Sequence, residues 1–367
     1  MKPLLTLLLF AACAAAQTEH ILVHRDDTQY YITPWLLRLK SGELIVTARE
    51  AHRRKRPFIS HADPTARGIL LRSSDGGRTW GGKIVLDDET YRFSQTEDVP
   101  VTELSDGTLL LNLYSWAVSP LPVNFRLNDR QRMPYAITFE GLSLLRSSDG
   151  GRTWSERAPL TVSGLPPLAA RVPALEMPDG VLLLPVYGLA SSRGPYYAWV
   201  IRSRDRGRTW GEPAELAIDP EGKLSYAEPC LLRTREGRLI SMIRTEGYLY
   251  QSVSEDNGKT FSPPVKTAMW GWPAHLLELR DGRILCTYGY RREPFGLRAV
   301  LSRDGGRTWD FSREIVLRDD GGNGDLGYPS AVEFEDGRVL VVYWFNQQKP
   351  GDPSSEVRYL AGTFFRP

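Results

Sequence analysis

The sequence predicts an all-β fold, a six-bladed β-propeller of four-stranded antiparallel blades. Three observations predict it. Six segments read strand, polar-Gly turn, strand; an eight-residue Asp-containing pattern recurs five times between them; and few segments carry helical periodicity. The hairpins occupy residues 37–49, 102–114, 175–187, 232–244, 277–289 and 332–344. Each sets an apolar run before a turn such as Ser41-Gly42 or Asp106-Gly107 and a Leu-rich or β-branched run after it, the pattern of two antiparallel strands joined tightly. The octapeptides stand at 73–80 and 147–154, both SSDGGRTW, then as SRDRGRTW at 203–210, SEDNGKTF at 254–261 and SRDGGRTW at 302–309. An inner hairpin and an outer pair of strands bearing the octapeptide make one sheet, and six sheets close around an axis. The sixth hairpin has no octapeptide after it, so HILVHRDD (20–27) is expected to pair with the last blade and close the ring.

Ahead of the propeller, assigned to 17–367, the chain begins MKPLLTLLLFAACAAAQ. A lysine, an apolar run and a small-residue end at Ala14-Ala15-Ala16 predict a secretory signal over 1–16, and the run is too short to span a bilayer. Export to the periplasm or the exterior follows, with a lipid anchor at Cys13 as the less favoured alternative because Phe10 stands where lipoprotein signals prefer an aliphatic residue. Hydrophobic residues are 41% of the chain and charged residues 25%, with a formal net charge of +2, an ordinary globular balance that gives no reason to expect nucleic acid as a partner. The one basic run, HRRKRP (52–57), reads first as a solvated loop, with anion binding as the alternative. Cys230 and Cys286 do not make a disulfide framework and are expected to be buried apolar residues, their pairing left open.

The octapeptide has a structural reading. Its Asp can accept backbone N–H groups across a tight turn while the Ser and Thr hydroxyls tie the flanks. Gly supplies a positive φ and Trp a flat apolar surface. No nucleophile stands beside a base there, so the repeated stretch is scaffold.

The turn glycines serve as a ruler for the opposite rim. Nine residues before each stand Thr33, Asp98, Arg171, Glu228, Pro273 and Tyr328; seven after stand Arg49, Tyr114, Tyr187, Arg244, Gly289 and Trp344. The long variable segments 50–68 and 115–138, and the shorter 290–296, fall on the same rim, and a scaffold with its long loops on one face usually binds there. Asp98, Arg171, Glu228, Arg244 and Tyr328 are therefore expected to converge on one site near the axis.

With these residues in view, the chain resembles the sialidase (neuraminidase) superfamily of BNR-repeat proteins over nearly the whole expected mature length. The resemblance implies a Tyr nucleophile activated by a Glu, an Asp acid/base and three arginines on a substrate carboxylate. YAEPCLLRTREGRLISMIR looks like the segment carrying the Glu and one Arg, Glu228 and Arg244. DLGYPSAVEFEDGRVLVVYW looks like the nucleophile segment, with Tyr328; HADPTARGILLRSSDGG nominates Asp63 as the acid/base, and EDVPVTELSDG nominates Asp98 as a second substrate-facing acid. The chain departs from the family at the first Arg: YITPW places Ile32 or Thr33 there, with Arg171 and Arg49 as candidates to compensate. For the third Arg, Arg291, Arg292 and Arg298 all stand in reach, Arg291 being favoured.

The implied chemistry is coherent. A sialoside carries a carboxylate on its anomeric carbon, which would repel a carboxylate nucleophile; a phenol avoids this but needs a base because its pKa is high. The expectation is a secreted, retaining exo-glycosidase acting on a glycan with a terminal acidic sugar. Two alternatives accompany it. One is a glycosidase or lyase on the same propeller acting on uronic-acid or deoxysugar linkages, in which Tyr328 and His275 would share acid and base roles. The other is a non-catalytic carbohydrate- or protein-binding propeller. No cofactor is expected. Five histidines and no Cys cluster give no zinc pattern, and the acidic stretch 318–327 reads first as a Gly-rich loop and only secondarily as a Ca²⁺ loop.

Overall fold

The structure, a computed structural model, describes residues 18–54, 63–88, 90, 94–120, 135–190 and 194–367, with no description of the side chains of residues 119, 120, 135 and 136. The expected signal over 1–16 with Cys13, part of the basic run at 52–57, and parts of the rim segments 50–68 and 115–138 lie outside the described residues.

Strand β1 (Glu19–His24) precedes six antiparallel sheets. Blade 1 contains β2 (Gln29–Arg38), β3 (Leu44–His52), β4 (Arg67–Ser73) and β5 (Gly81–Asp87). Blade 2 contains β6 (Ser94–Thr96), β7 (Val101–Glu103), β8 (Leu109–Pro120), β9 (Tyr135–Ser147) and β10 (Ala158–Leu160); β6 and β7 both pair with β8, so they are two halves of one interrupted inner strand. Blade 3 is β11 (Leu175–Glu176), β12 (Leu182–Leu189), β13 (Tyr196–Ser203) and β14 (Gly211–Ala217). Blade 4 is β15 (Ala227–Arg233), β16 (Leu239–Arg244), β17 (Tyr248–Ser254) and β18 (Val265–Trp270). Blade 5 is β19 (Ala274–Glu278), β20 (Ile284–Tyr290), β21 (Gly296–Ser302) and β22 (Ile315–Arg318). Blade 6 is β23 (Gly327–Glu333), β24 (Val339–Lys349) and β25 (Asp352–Phe365), and its fourth strand is β1: Glu19 lies opposite Phe364 and Leu22 opposite Ala361. The ring closes by the N-terminal strand, as the missing sixth octapeptide implied.

The five octapeptides fold alike, each between the third and fourth strand of its blade. Asp75, Asp149, Asp205, Asp256 and Asp304 each accept a Ser hydroxyl on one carboxyl oxygen at 2.7–2.8 Å and a Thr hydroxyl on the other at 2.5–2.6 Å. The same carboxylates also accept backbone N–H groups three and four residues on. The indoles of Trp80, Trp154 and Trp210 donate back to the glycine carbonyl of their own turn. Gly306 has φ 78°, and a Cβ there would stand 2.4 Å from Ile240 Cδ1 of the preceding blade, so both conformation and close approach require glycine.

Two repeated contacts join neighbouring blades, and the sequence reading did not single them out. Arg72, Arg146, Arg202 and Arg238 each donate to a backbone carbonyl in the octapeptide of the next blade: Gly150, Arg206, Asn257 and Gly305. At the inner turns, Glu103, Glu176, Glu278 and Glu333 accept the backbone N–H of Lys40, Ser105, Arg235 and Arg280 from the blade before, at 2.6–2.8 Å. Each of these glutamates stands four residues before its own turn glycine. Between the blades lie the buried Leu, Ile and Val faces of the strands, for example Leu285, Val339 and Val341 of blades 5 and 6; each such side chain contributes roughly 1.5–3 kcal/mol on burial. Cys230 and Cys286 are both free and buried, so the open question of their pairing closes in favour of packed thiols. In the 318–327 stretch, Asp320 is paired with Arg318 and Asp325 with Arg358. Among the described residues no helix is long and apolar enough to cross a membrane.

Candidate active site

Regular pairing fails in the inner strands near the position nine residues before the turn glycine. The register of β2 against β3 breaks between Ile32 and Trp35, that of β15 against β16 between Ala227 and Cys230, and that of β23 against β24 between Gly327 and Ser330. At these breaks Thr33, Glu228 and Tyr328 take φ values of 52°, 45° and 56°, a left-handed conformation uncommon for such side chains. In blade 2 the gap between β6 and β7 holds Glu97 and Asp98. In blade 3 an isolated bridge from Ala169 to Tyr187 and the short β11 leave Arg171 between them. Bulges of this kind re-aim side chains, and strained backbone concentrates at functional sites.

Tyr328 and Glu228, 5% and 6% exposed, meet there. The phenol donates to Glu228 Oε1 at 2.6 Å, while Arg244 Nη1 donates to Glu228 Oε2 at 2.7 Å and to Tyr328 Oη at 3.2 Å. Burial pushes the Glu228 carboxyl up, but the Arg244 charge, the Tyr328 hydrogen bond and Arg171 outweigh it and hold the group below its ordinary value. The Tyr328 phenol is pushed well above 10, first by burial and then by the Glu228 charge, against the opposing pull of Arg244 and Arg291. The pair is thus an ionised acceptor beside a neutral phenol, the arrangement in which a base removes a nucleophile's proton.

Above the pair opens a cavity of about 850 Å³. Blades 4 to 6 give it polar groups: Glu228, Arg244, Glu246, Arg291 and Tyr328. Blades 2 and 3 give it an aromatic wall, Tyr114, Trp116, Phe139, Tyr187 and Tyr196, together with one carboxylate, Glu97. Of the three arginines weighed for one role, Arg291 lines the cavity, with its guanidinium 5.8 Å from the Tyr328 ring centroid. Arg292 instead lies on Trp270, and Arg298 bonds the carbonyls of Leu297 and Arg318.

The remaining nominated residues lie behind the cavity wall. Arg171 is 2% exposed and sits under the Tyr328 ring. Asp98 is 1% exposed; burial, reinforced by Glu97 and Glu228 and only partly offset by Arg171 and the Thr33 hydroxyl, pushes it up to about 8. Arg49 is fully buried, bonded to Thr96 O, Tyr30 Oη and Gln95 Oε1, with Nε 3.5 Å from Glu97 Oε2. It anchors the Gln95–Glu97 stretch and does not face the cavity. Asp63 is also fully buried: its N–H donates to Gln95 Oε1 at 2.6 Å and its carboxylate takes Arg54 Nε at 2.9 Å. Burial raises the Asp63 carboxyl, but Arg54 and Thr65 outweigh it and hold the group below its ordinary value. His275 packs edge-on to Trp35 at 5.3 Å and is pushed down to about 3, mainly by burial, which leaves it neutral and away from the cavity. Ile32 is fully buried. Glu97, one residue before the ruler position, was missed; the signal was the adjacent acid in TEDVP.

The family described as "BNR repeat-like domain" matches residues 68–341. A sialidase of Paraclostridium sordellii is 25% identical over 310 residues, covering 75% of this chain and 72% of that protein. One of Micromonospora viridifaciens is 27% identical over 326 residues, covering 79% of this chain and 45% of that protein. Among solved structures, a protein of unknown function from Dyadobacter fermentans superposes with a TM-score of 0.81 at 28% identity, covering 96% and 99% of the two chains. The α-L-arabinofuranosidase Arb93a of Fusarium graminearum shares the fold, with a TM-score of 0.64 at 13% identity over 96% of this chain and 98% of that one.

Proposed function

The chain belongs to the BNR-repeat, sialidase superfamily, and from that footing we propose that it is an exo-acting, retaining glycoside hydrolase whose nucleophile is Tyr328. The observation that carries this reading is the 2.6 Å hydrogen bond from the buried phenol to Glu228, with Arg244 bridging both. Glu228 takes the phenolic proton as the oxygen attacks the anomeric carbon. A glycosyl-tyrosine forms, and water then releases the sugar with its configuration retained.

An acidic terminal sugar, sialic acid first, suits the two guanidinium groups on the polar side. Arg244 and Arg291 line the cavity, and a planar guanidinium holds a carboxylate through paired hydrogen bonds. The carboxyl that protonates the leaving oxygen is assigned to the blade 1 and 2 side. There Asp63 and Glu97 belong to one buried network through Gln95 and Arg49, and Glu97 is the member that lines the cavity. In this reading Asp63 supports the network as an ionised acceptor. Export of the protein, with removal of residues 1–16, completes the proposal.

A second reading rests on Ile32 or Thr33, neither of which supplies a charge where the family's first arginine stands, and on the apolar wall from blades 2 and 3. It assigns a terminal sugar without a carboxylate, a deoxysugar among them, to the same Tyr–Glu pair. Release of 4-methylumbelliferone from its α-sialoside by wild type, lost in Tyr328→Phe and Glu228→Ala, supports the first reading. Turnover of a uronide in place of the sialoside keeps the acidic-sugar reading with another sugar, whereas turnover only of a rhamnoside or arabinofuranoside that depends on the same two residues supports the second.

A further inference from the structure

Arg171 occupies, in blade 3, the rank that Glu228 and Tyr328 occupy in blades 4 and 6, yet it does not line the cavity. Its Nη2 donates to the carbonyl of Tyr328 at 3.1 Å and to that of Pro34 at 3.3 Å, tying blade 3 to blades 6 and 1 across the axis. Its guanidinium carbon lies 4.9 Å from the Tyr328 ring centroid and 5.7 Å from that of Trp35. Tyr328 is one of the residues held at positive φ, and the bond to its carbonyl fixes the peptide that follows this strained position.

The groups that face Arg171 narrow its electrostatic role. They are Asp98, Glu228, His275 and Cys230. Asp98, pushed up to about 8 by burial, is neutral at pH 7; so are His275, at about 3, and Cys230, raised to about 12 by burial. Glu228 is left as the anion facing this buried cation among those groups. On its other sides Glu228 meets Arg244, Tyr328 and the charge of Arg291, with Tyr187 and Tyr196 close by as neutral phenols. Among the described residues Arg171 Nε and Nη1 have no hydrogen-bond partner; a cation buried in this way is costly to retain, and this one stands where it acts on both members of the pair.

We propose that Arg171 is a positioning residue: from beneath the cavity it clamps the backbone of Tyr328 and supplies a buried countercharge to Glu228, without touching substrate. The proposal rests on the reading of Tyr328 and Glu228 as the catalytic pair. Three variants separate its parts. Arg171→Met removes the clamp and the charge, Arg171→Lys keeps the charge, and Arg171→Gln removes the charge with a smaller change in shape, which covers the case in which the Met variant does not fold.

The first readout is the Glu228 titration midpoint by carboxyl ¹³C NMR, which needs no turnover. Loss of the cation in the Met or Gln variant is expected to raise it by about one pH unit, with the Lys variant staying near wild type. The second is kcat and KM against pH on whichever glycoside the protein turns over. Arg171→Met is expected to lower kcat roughly ten-fold or more, to move the acid limb upward with the NMR midpoint, and to leave KM within about two-fold. An unmoved Glu228 midpoint overturns the countercharge, and a raised KM at unchanged kcat overturns the proposal by making Arg171 a substrate ligand. A shifted midpoint in a protein that hydrolyses no glycoside sustains the countercharge and sinks the catalytic reading, so the two failures are distinct.

Discussion

The phenol of Tyr328 and the carboxylate of Glu228 are 100 residues apart in the chain and 2.6 Å apart in the fold. Both sit nine residues before a turn glycine, in blades 6 and 4, and both adopt positive φ at a break in strand pairing. The propeller's rotation carries equivalent positions of different repeats to one axis, so one local irregularity used in several blades assembles the site.

The pH dependence of turnover follows from the sign of the Glu228 shift. The base must be ionised, and Arg244, the Tyr328 hydrogen bond and Arg171 hold it below its ordinary 4.5 despite burial. Activity is therefore expected to persist through mildly acid pH and to fall only below pH 4.5, measured as kcat against pH. Glu228→Gln is expected to lower kcat by roughly 10²–10⁴ and to abolish that acid limb.

Asp98 makes the fold less stable as pH rises. Its carboxyl titrates near 8 in the native state against 3.8 when unfolded, so between these values the native state holds a proton that the unfolded chain has released. Stability from this group falls across that window by up to about 1.4 kcal/mol per pH unit. Asp98→Asn is expected to resemble wild type near pH 4 and to exceed it in thermal midpoint at pH 8. Parallel melting curves across that range would contradict the assignment.

Protonation of the leaving group separates Glu97 from Asp63. Loss of the acid matters most when the leaving group is a poor one, so the signature is the ratio between an alkyl or sugar leaving group and an activated aryl one. Glu97→Gln is expected to lose roughly 10²–10⁴ in kcat/KM on the poor leaving group and far less on the aryl glycoside. Asp63→Asn is expected to lower both alike, through loosening of the Gln95–Arg49 network. The reverse pattern would give the acid role to Asp63.

The octapeptides are predicted to be silent in catalysis. Asp304 is pushed up by burial but held near 2 by the Thr308 and Ser302 hydrogen bonds, so its stabilising contribution is present above 3.8 and lost as pH falls toward 2. Asp304→Ala is expected to lower the thermal midpoint at pH 7 by roughly a few degrees and to leave kcat unchanged, because none of the octapeptide residues lines the cavity.

The blade count, the closing strand and the Tyr328–Glu228–Arg244 group were legible because repeats keep register: a turn glycine in each copy fixes the height of every other position along the axis. Height is all that such a ruler gives. Glu228 and Arg171 hold the same rank, yet one lines the cavity and the other lies under it, and this depends on bulge geometry that involves partners from other blades. Glu97 escaped for a related reason, since the interruption between β6 and β7 turns the residue before the ruled one toward the cavity. His275 and Arg49 share the height of the site, but packing against Trp35 and the bonds to Thr96, Tyr30 and Gln95 turn them inward. The inter-blade glutamates repeat visibly in TELSDG, LEMPDG, LELRDG and VEFEDG, but their role depends on a neighbour's backbone N–H that no single repeat contains.

The central claim is that Tyr328 forms a covalent bond to the sugar, and trapping tests it most directly. Wild type and Tyr328→Phe are incubated with a 3-fluorosialosyl fluoride, whose fluorine slows release of the glycosyl-enzyme, and then digested for peptide mass spectrometry. The account predicts one added glycosyl unit on the peptide containing Tyr328 in wild type, and none in the variant. A protein that hydrolyses the sialoside yet carries the adduct on another residue, or a Tyr328→Phe variant that is labelled and active like wild type, would contradict it.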